Sequence, residues 1–255
     1  MDFFHAIILG IVEGVTEFLP VSSTGHMILV SELLHIPDTE FLKTFEITIQ
    51  LGAILAVVVL YWRKLLLDFE MMKRIMVALL PALGVGFLFY SFIRSLLGSG
   101  MTVVVALFLG GVIIILFELF RKKPEEMLED LSVFSYKKAF FIGLFQALSV
   151  IPGVSRSGAT ILGGMLLGMR RKAIVEFSFL LAVPTMVAAT TLDIVKNATL
   201  FDVGNMSAFL IGFSVSFFVA LFAIKFLLRF VETHTFILFG VYRIVIAILF
   251  FFFVY

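Results

Sequence analysis

Glu13-Gly-Val-Thr-Glu17-Phe-Leu-Pro20-Val-Ser22-Ser23-Thr24-Gly25-His26 decides how this chain is read, because acids and hydroxyls interrupt a run that is otherwise apolar. A second stretch, Pro152-Gly-Val-Ser155-Arg156-Ser157-Gly158, has the same character. Nothing in a bilayer core hydrates such groups. Placing two Glu and one Arg there costs roughly 2.5–3.5 kcal/mol each on insertion scales, about 8–10 kcal/mol together. Residues kept at that cost are read as functional.

The surroundings establish that a bilayer is the solvent. The chain is 62% hydrophobic and 15% charged, with a mean hydropathy of +1.17, outside the range of soluble globular domains. A formal net charge of +1 gives no global field for nucleic acid, so none is expected as a partner. Cysteine is absent, which excludes disulfides, thiolate metal sites and a cysteine nucleophile. The N-terminus lacks a basic region and a small-residue cleavage site, so no removable signal peptide is expected.

Apolar runs of about 20 residues, enough to cross ~30 Å of hydrocarbon, fall near 41–62, 75–93, 101–120, 173–192, 206–228 and 236–255. The regions 3–35 and 139–168 are apolar too, but each is broken midway by Pro, Gly, Ser and charge. Broken helix at membrane depth is tolerated only where protein or a water-filled cavity covers it. The reading is an all-α polytopic membrane protein with six transmembrane helices and two re-entrant helix–loop–helix hairpins. The Lys and Arg residues agree with that count. None precedes Lys43, so the first hairpin opens outward, while Arg63, Lys64, Lys73 and Arg74 mark the first inner loop. Arg121, Lys122, Lys123, Lys137 and Lys138 mark the next, and with Arg170, Arg171 and Lys172 they place the second hairpin on the inner side. Either hairpin read as a full span would invert every later loop against its charges.

The two broken regions are also copies. At an offset of 133 residues Gly10 matches Gly143, Val21-Ser22 matches Val154-Ser155, Gly25 matches Gly158, and Ile28-Leu29 matches Ile161-Leu162. Residues 1–255 therefore form one integral membrane domain built as an inverted repeat. Its halves are about 3–120 and 139–255, with hairpins 3–35 and 139–168. In such folds the site lies near the midplane, where broken helices meet.

The side chains there suit one kind of ligand. Glu13 and Glu17, four residues apart, share a helix face. Adjacent carboxylates in low dielectric repel unless a proton or a cation lies between them. A hard divalent ion bridging to phosphate oxygens resolves the repulsion, Mg²⁺ first and Ca²⁺ as the alternative, with Glu13 and Glu17 as its ligands. Structural hydrogen bonding of the pair is the competing reading. A half-helix is predicted to begin around Ser23–Gly25, aiming its positive end at an anion. Ser22, Thr24 and Gly25, then Ser155, Ser157 and Gly158, are candidate substrate contacts beside it, with helix capping as the alternative for Ser22 and Ser157. Arg156 supplies a planar fork suited to phosphate. Ser23 is a candidate nucleophile with His26, roughly one turn later, as its base; Glu17 is the other candidate base, and activation of water by His26 or a carboxylate remains open.

Elsewhere the sequence is less specific. His5, His35 and His234 read as interfacial, Glu46 and Glu176 as either interfacial or cavity-facing, and Gln50 and Gln146 as supporting donors. Arg243, inside the last span, is expected to pair with an acid or to extend outward. No Gly-x-x-x-x-Gly-Lys loop is present, which argues against ATP-driven transport.

At EGVTEFLPVSSTGH (13–26) and PGVSRSG (152–158), with TFEITIQLGAILAVV (44–58) and EFSFLLAVPTM (176–186) in support, the chain resembles the bacterial undecaprenyl-diphosphate phosphatase family, the bacitracin-resistance proteins. The resemblance covers essentially the whole chain. It implies metal-dependent hydrolysis of a polyprenyl diphosphate lipid to its monophosphate and inorganic phosphate, which recycles the carrier for cell-wall synthesis and gives tolerance to bacitracin. It further implies a multi-pass protein of the bacterial plasma membrane whose site opens to the outer side. Glu13 and Glu17 would be the acidic, metal-associated pair, Ser23 and His26 the nucleophile and acid/base candidates, and Arg156 the phosphate clamp. A homodimer is compatible with this reading. The rival from another class is a polyprenyl-phosphate flippase, which needs the anion sites and the repeat but no nucleophile.

Overall fold

The computed structural model describes residues 2–88, 100–121, 131, 134–196 and 203–254, with backbone only for residues 87, 192–194, 196, 203, 204, 253 and 254. Within them regular structure is helical. In chain order the helices are α1 (Phe3–Thr16), α2 (Ser23–Leu33), α3 (Glu40–Leu67), α4 (Phe69–Leu88), α5 (Gly100–Phe120), α6 (Tyr136–Ala147), α7 (Arg156–Leu166), α8 (Arg171–Lys196), α9 (Val203–Thr233) and α10 (Ile237–Val254), with a short 3₁₀ turn at Leu148–Val150.

Four helices among the described residues are long and apolar enough to cross a bilayer: α3, α5, α8 over Arg171–Thr191, and α9 over Asn205–Thr233. The chain is a multi-pass membrane protein. The two remaining predicted spans differ from the hydropathy runs for identifiable reasons. The 75–93 run lies partly in α4, which begins earlier, at Phe69, because Asp68 accepts a hydrogen bond from Met71 N (2.9 Å) and so starts the helix among the charged residues Glu70, Lys73 and Arg74. Residues 89–93 lie outside the described residues, as does most of the basic 121–133 segment. The 236–255 run becomes α10, whose apolar stretch Ile237–Phe252 is shorter than a standard span.

Both broken regions form two short helices joined by an irregular tip: α1 and α2 flank residues 17–22, and α6 and α7 flank 148–155. α1 packs against α9, and α6 against α4. Glycine permits these close approaches. A Cβ at Gly10 would lie 2.8 Å from Gly212 O, one at Gly14 would lie 2.7 Å from Ser216 O, and one at Gly143 would run into Ala78 O. α5 pairs with α10, and α3 crosses both α8 and α9. The main core surrounds α8, whose Phe177, Phe179, Leu180 and Leu181 are fully buried. Phe18 of the first tip meets Phe179 edge to face at 5.1 Å, which anchors that tip to the core.

Candidate active site

The two tips are built alike. Ser22 and Ser155 have left-handed backbone, φ 73° and 79°, and each hydroxyl accepts a hydrogen bond from the glycine three residues on: Gly25 N to Ser22 Oγ at 3.3 Å and Gly158 N to Ser155 Oγ at 3.1 Å. They are the N-caps of α2 and α7. A serine held at positive φ is locally unfavourable, and its occurrence at both tips marks the polar end of each short helix as a place where backbone strain is retained.

The tips touch. Ser157 Oγ donates to Leu19 O (2.8 Å), and since Ser157 has one hydroxyl proton, its 3.1 Å contact with Ser155 is a bond in which Ser155 donates. The hydroxyls of Ser22, Ser155 and Ser157, expected at the substrate, are thus engaged in shaping the tips. Thr24 is half-buried on the first turn of α2, and Gly25 and Gly158 are buried beneath their caps.

Across this contact Glu17 joins the two halves. Its Oε2 accepts from Ser23 Oγ at 2.5 Å and its Oε1 from Arg156 Nη2 at 2.7 Å. Both side chains of the ion pair are largely shielded, with relative exposures of 11% for Arg156 and 4% for Glu17. Arg156 Nη1 donates to Ser178 O at 2.9 Å, and the guanidinium lies 6.0 Å from the Phe18 ring centroid. Ser23, the first residue of α2, therefore has its hydroxyl against a carboxylate that a cation orients.

Glu13, one turn before Glu17, is fully buried, and neither carboxylate oxygen has a hydrogen-bond partner among the described residues. Its electrostatic neighbours are Glu17, Glu46 and Arg156. Arg156 Nε is likewise buried and unpartnered. No group of three or more His, Cys, Asp and Glu is placed to hold a metal among the described residues; the acids available to a cation here are Glu13, with both oxygens unpartnered, and its neighbour Glu17. That set fits Mg²⁺, which typically keeps one or two carboxylates and completes its shell with water and substrate phosphate oxygens.

The ring nitrogens of His26 have partners other than Ser23. Its Nδ1 lies 2.8 Å from Ser22 O and its Nε2 2.8 Å from Tyr242 Oη. A carbonyl only accepts, so Nδ1 carries the proton; in the neutral ring Nε2 then accepts from the tyrosine hydroxyl. Of the two bases expected for Ser23, Glu17 is the one bonded to its hydroxyl in this structure. The Ser23 hydroxyl donates to Glu17, and both ring nitrogens of His26 are taken, by Ser22 O and by Tyr242 Oη.

Other predicted residues divide. Glu46 accepts from Ser31 Oγ at 3.1 Å and is an electrostatic neighbour of Glu13, whereas Glu176 forms an ion pair with Lys64 at 2.5 Å. Gln146 donates to Thr185 Oγ1 at 3.2 Å. Tyr242, Ser178 and the role of Arg243 were not foreseen. Arg243 neither pairs with an acid nor extends outward: it is 1% exposed and donates to carbonyls of both tips. The sequence signal for Tyr242-Arg243 was two polar side chains in succession within the last apolar run.

Known proteins resemble this chain along its length. A sequence model of the bacitracin resistance protein BacA matches residues 6–249. The undecaprenyl-diphosphatase of Sulfurihydrogenibium sp. (strain YO3AOP1) is 52% identical over 251 residues, covering 98% of this chain and 99% of that protein. That of Aquifex aeolicus (strain VF5) is 50% identical over 251 residues, covering 98% of each. That of Persephonella marina (strain DSM 14350 / EX-H1) is 52% identical over 254 residues, covering the whole of both.

Proposed function

We propose that this chain, which belongs to the bacitracin resistance protein BacA family, hydrolyses undecaprenyl diphosphate to undecaprenyl phosphate and inorganic phosphate, as the names of its relatives state for them. The observation that carries the proposal is the shared carboxylate of Glu17, bonded to the Ser23 hydroxyl on one oxygen and to the Arg156 guanidinium on the other. A binding or translocating site needs the cation and the helix ends. It has no need of a buried hydroxyl hydrogen-bonded to a carboxylate.

In this reading Ser23 Oγ attacks the terminal phosphorus while its proton passes to Glu17. The bond from that phosphorus to the bridging oxygen breaks, and undecaprenyl phosphate leaves. Glu17 first releases the serine proton to the medium; water then attacks the phosphoserine and gives a proton to the Glu17 carboxylate, the bond from phosphorus to Ser23 Oγ breaks, phosphate departs, and Glu17 returns that proton to Ser23 Oγ. The N-terminal ends of α2 and α7 face the anion with their positive poles. Arg156 turns its free Nε and part of its fork to the equatorial oxygens. Held by Glu13 and Glu17, a divalent cation, Mg²⁺ or Ca²⁺, would offset the charge of two carboxylates beside a diphosphate.

The architecture accommodates this with six spans, α4 and α10 included, and α1–α2 and α6–α7 as re-entrant hairpins of the inverted repeat 3–120 and 139–255. Matched serine caps at both tips, and the matched pairs α1 on α9 and α6 on α4, support the repeat. The site would open to the outer face of the bacterial plasma membrane. Phosphate release from farnesyl and undecaprenyl diphosphates by detergent-solubilised protein, where transport has no meaning, tests the proposal. Release that chelator abolishes and divalent cation restores is expected. No release from either substrate would leave the flippase reading, and full release in excess chelator would eliminate the cation.

A further inference from the structure

We infer that Arg243 is a positioning residue for the reaction proposed above: its guanidinium locks the two hairpin tips together and so sets the approach of Arg156 to Glu17 and Ser23. The inference rests on that functional reading and adds to it a residue outside both motifs.

A guanidinium carries five N–H donors in one plane. All five of Arg243's are matched by backbone carbonyls from three separate parts of the chain. Nε donates to Leu107 O at 3.3 Å, and Nη2 to Ala106 O at 3.0 Å, both on α5. Nη1 reaches Pro20 O of the first tip at 3.2 Å and Val154 O of the second at 3.1 Å, while Nη2 also reaches Gly153 O at 2.8 Å. No carboxylate is among these partners, so an ion pair does not explain a charge buried to this degree. The carbonyls do. Tip backbone at membrane depth has lost its helical hydrogen bonds and needs donors from elsewhere. One rigid fork supplies three such carbonyls across both tips.

The surrounding glycines make the slot. A Cβ at Gly110 would run into Arg243 Nη2, and one at Gly111 would lie 3.2 Å from Arg243 Cβ and 2.6 Å from Gly240 O. Gly153 has φ +91°, and a Cβ there would lie 2.9 Å from Val103 O. Lysine keeps the charge at this position but has one nitrogen, which cannot span carbonyls on three segments. Arg243→Lys therefore separates the reach of the fork from its charge.

The register of the tips can be read without turnover. A Cβ at Gly158 would lie 3.6 Å from Pro20 Cβ, within the range of about 3.5–4.5 Å that a disulfide requires. The chain has no cysteine, so Pro20→Cys with Gly158→Cys introduces the sole thiol pair. Disulfide formation under mild oxidation is followed in detergent-solubilised protein with Arg or Lys at 243. In parallel, without the cysteines, kcat and KM are measured for farnesyl diphosphate. With Lys at 243, cross-linking is expected to slow by about tenfold or more and kcat to fall about 10²-fold with KM within about threefold, as a misplaced catalytic group costs turnover more than binding. Gly110→Ala, which displaces the fork and leaves its charge, is expected to lower both in the same sense, and adding it to Arg243→Lys to lower neither further. If the Lys variant does not fold, Gly110→Ala alone carries the same comparison. Cross-linking as fast with Lys as with Arg, or kcat within about threefold of the parent, overturns the inference. A parent that releases no phosphate while its cross-linking still depends on residue 243 overturns the hydrolytic reading and supports the lock.

Discussion

At the scale of the residue, Glu17 holds the account together, since it touches Ser23 and Arg156 at once. Arg156 spans Glu17 Oε1 and Ser178 O with its two terminal nitrogens at 2.7 and 2.9 Å, a separation one lysine nitrogen cannot bridge. Arg156→Lys is therefore expected to lower kcat by about 10²-fold, the size of one lost transition-state contact, while protein yield and thermal midpoint stay close to the parent's. Turnover within about threefold would reduce the ion pair to a structural one. The residue types at this site were legible because their burial is costly: two acids, an arginine and a histidine at membrane depth need a reason. Their pairings were not. Spacing along the chain favoured His26 as the partner of Ser23, whereas the fold brings Ser178, Tyr242 and Arg243 from α8 and α10. No local period encodes contacts between residues as far apart as His26 and Tyr242.

At the scale of the element, the short helices are set by what lies at their ends and under their glycines. Breaks at Pro20 and at Pro152-Gly153 were readable from backbone chemistry, and the helix starts at Ser23 and Arg156 follow from the serine caps just before them. The start of α4 was misplaced because a hydropathy window discards the charged turn that Asp68 caps. Packing distances were not legible at all. Gly143 and Gly84 look equivalent in sequence, yet a Cβ at Gly143 would run into Ala78 O while one at Gly84 would meet nothing within 4 Å. Gly143→Ala is expected to destabilise the protein by about 1–3 kcal/mol through forced separation of α6 from α4, and Gly84→Ala to stabilise it by about 0.5–1 kcal/mol through helix propensity. Thermal unfolding in detergent measures both, and equal midpoints for the two variants would contradict this packing.

At the scale of the whole molecule, charge placement implies an orientation: no Lys or Arg precedes Lys43, and they are dense after the first span. An exposed cysteine at Asp38 should react with an impermeant thiol reagent in intact cells, and one at exposed Lys137 only after the membrane is opened. The reverse labelling would put the first hairpin on the inner side and remove the outward-facing site. Function was legible in the polar residues of the two motifs and in their resemblance to a known family, and the two segments are chemically unequal. The first hairpin carries Glu13, Glu17, Ser23 and His26, whereas the second has Gln146 opposite Glu13 and Arg156 opposite Ser23. The contact between the tips thus joins an acidic, nucleophile-bearing segment to a cationic one, and hydrolysis at their meeting point is the central claim. Single turnovers with a chirally labelled terminal phosphate test it most directly. The account predicts net retention at phosphorus through a phosphoserine recoverable at position 23, absent from Ser23→Ala. Inversion at phosphorus would contradict it.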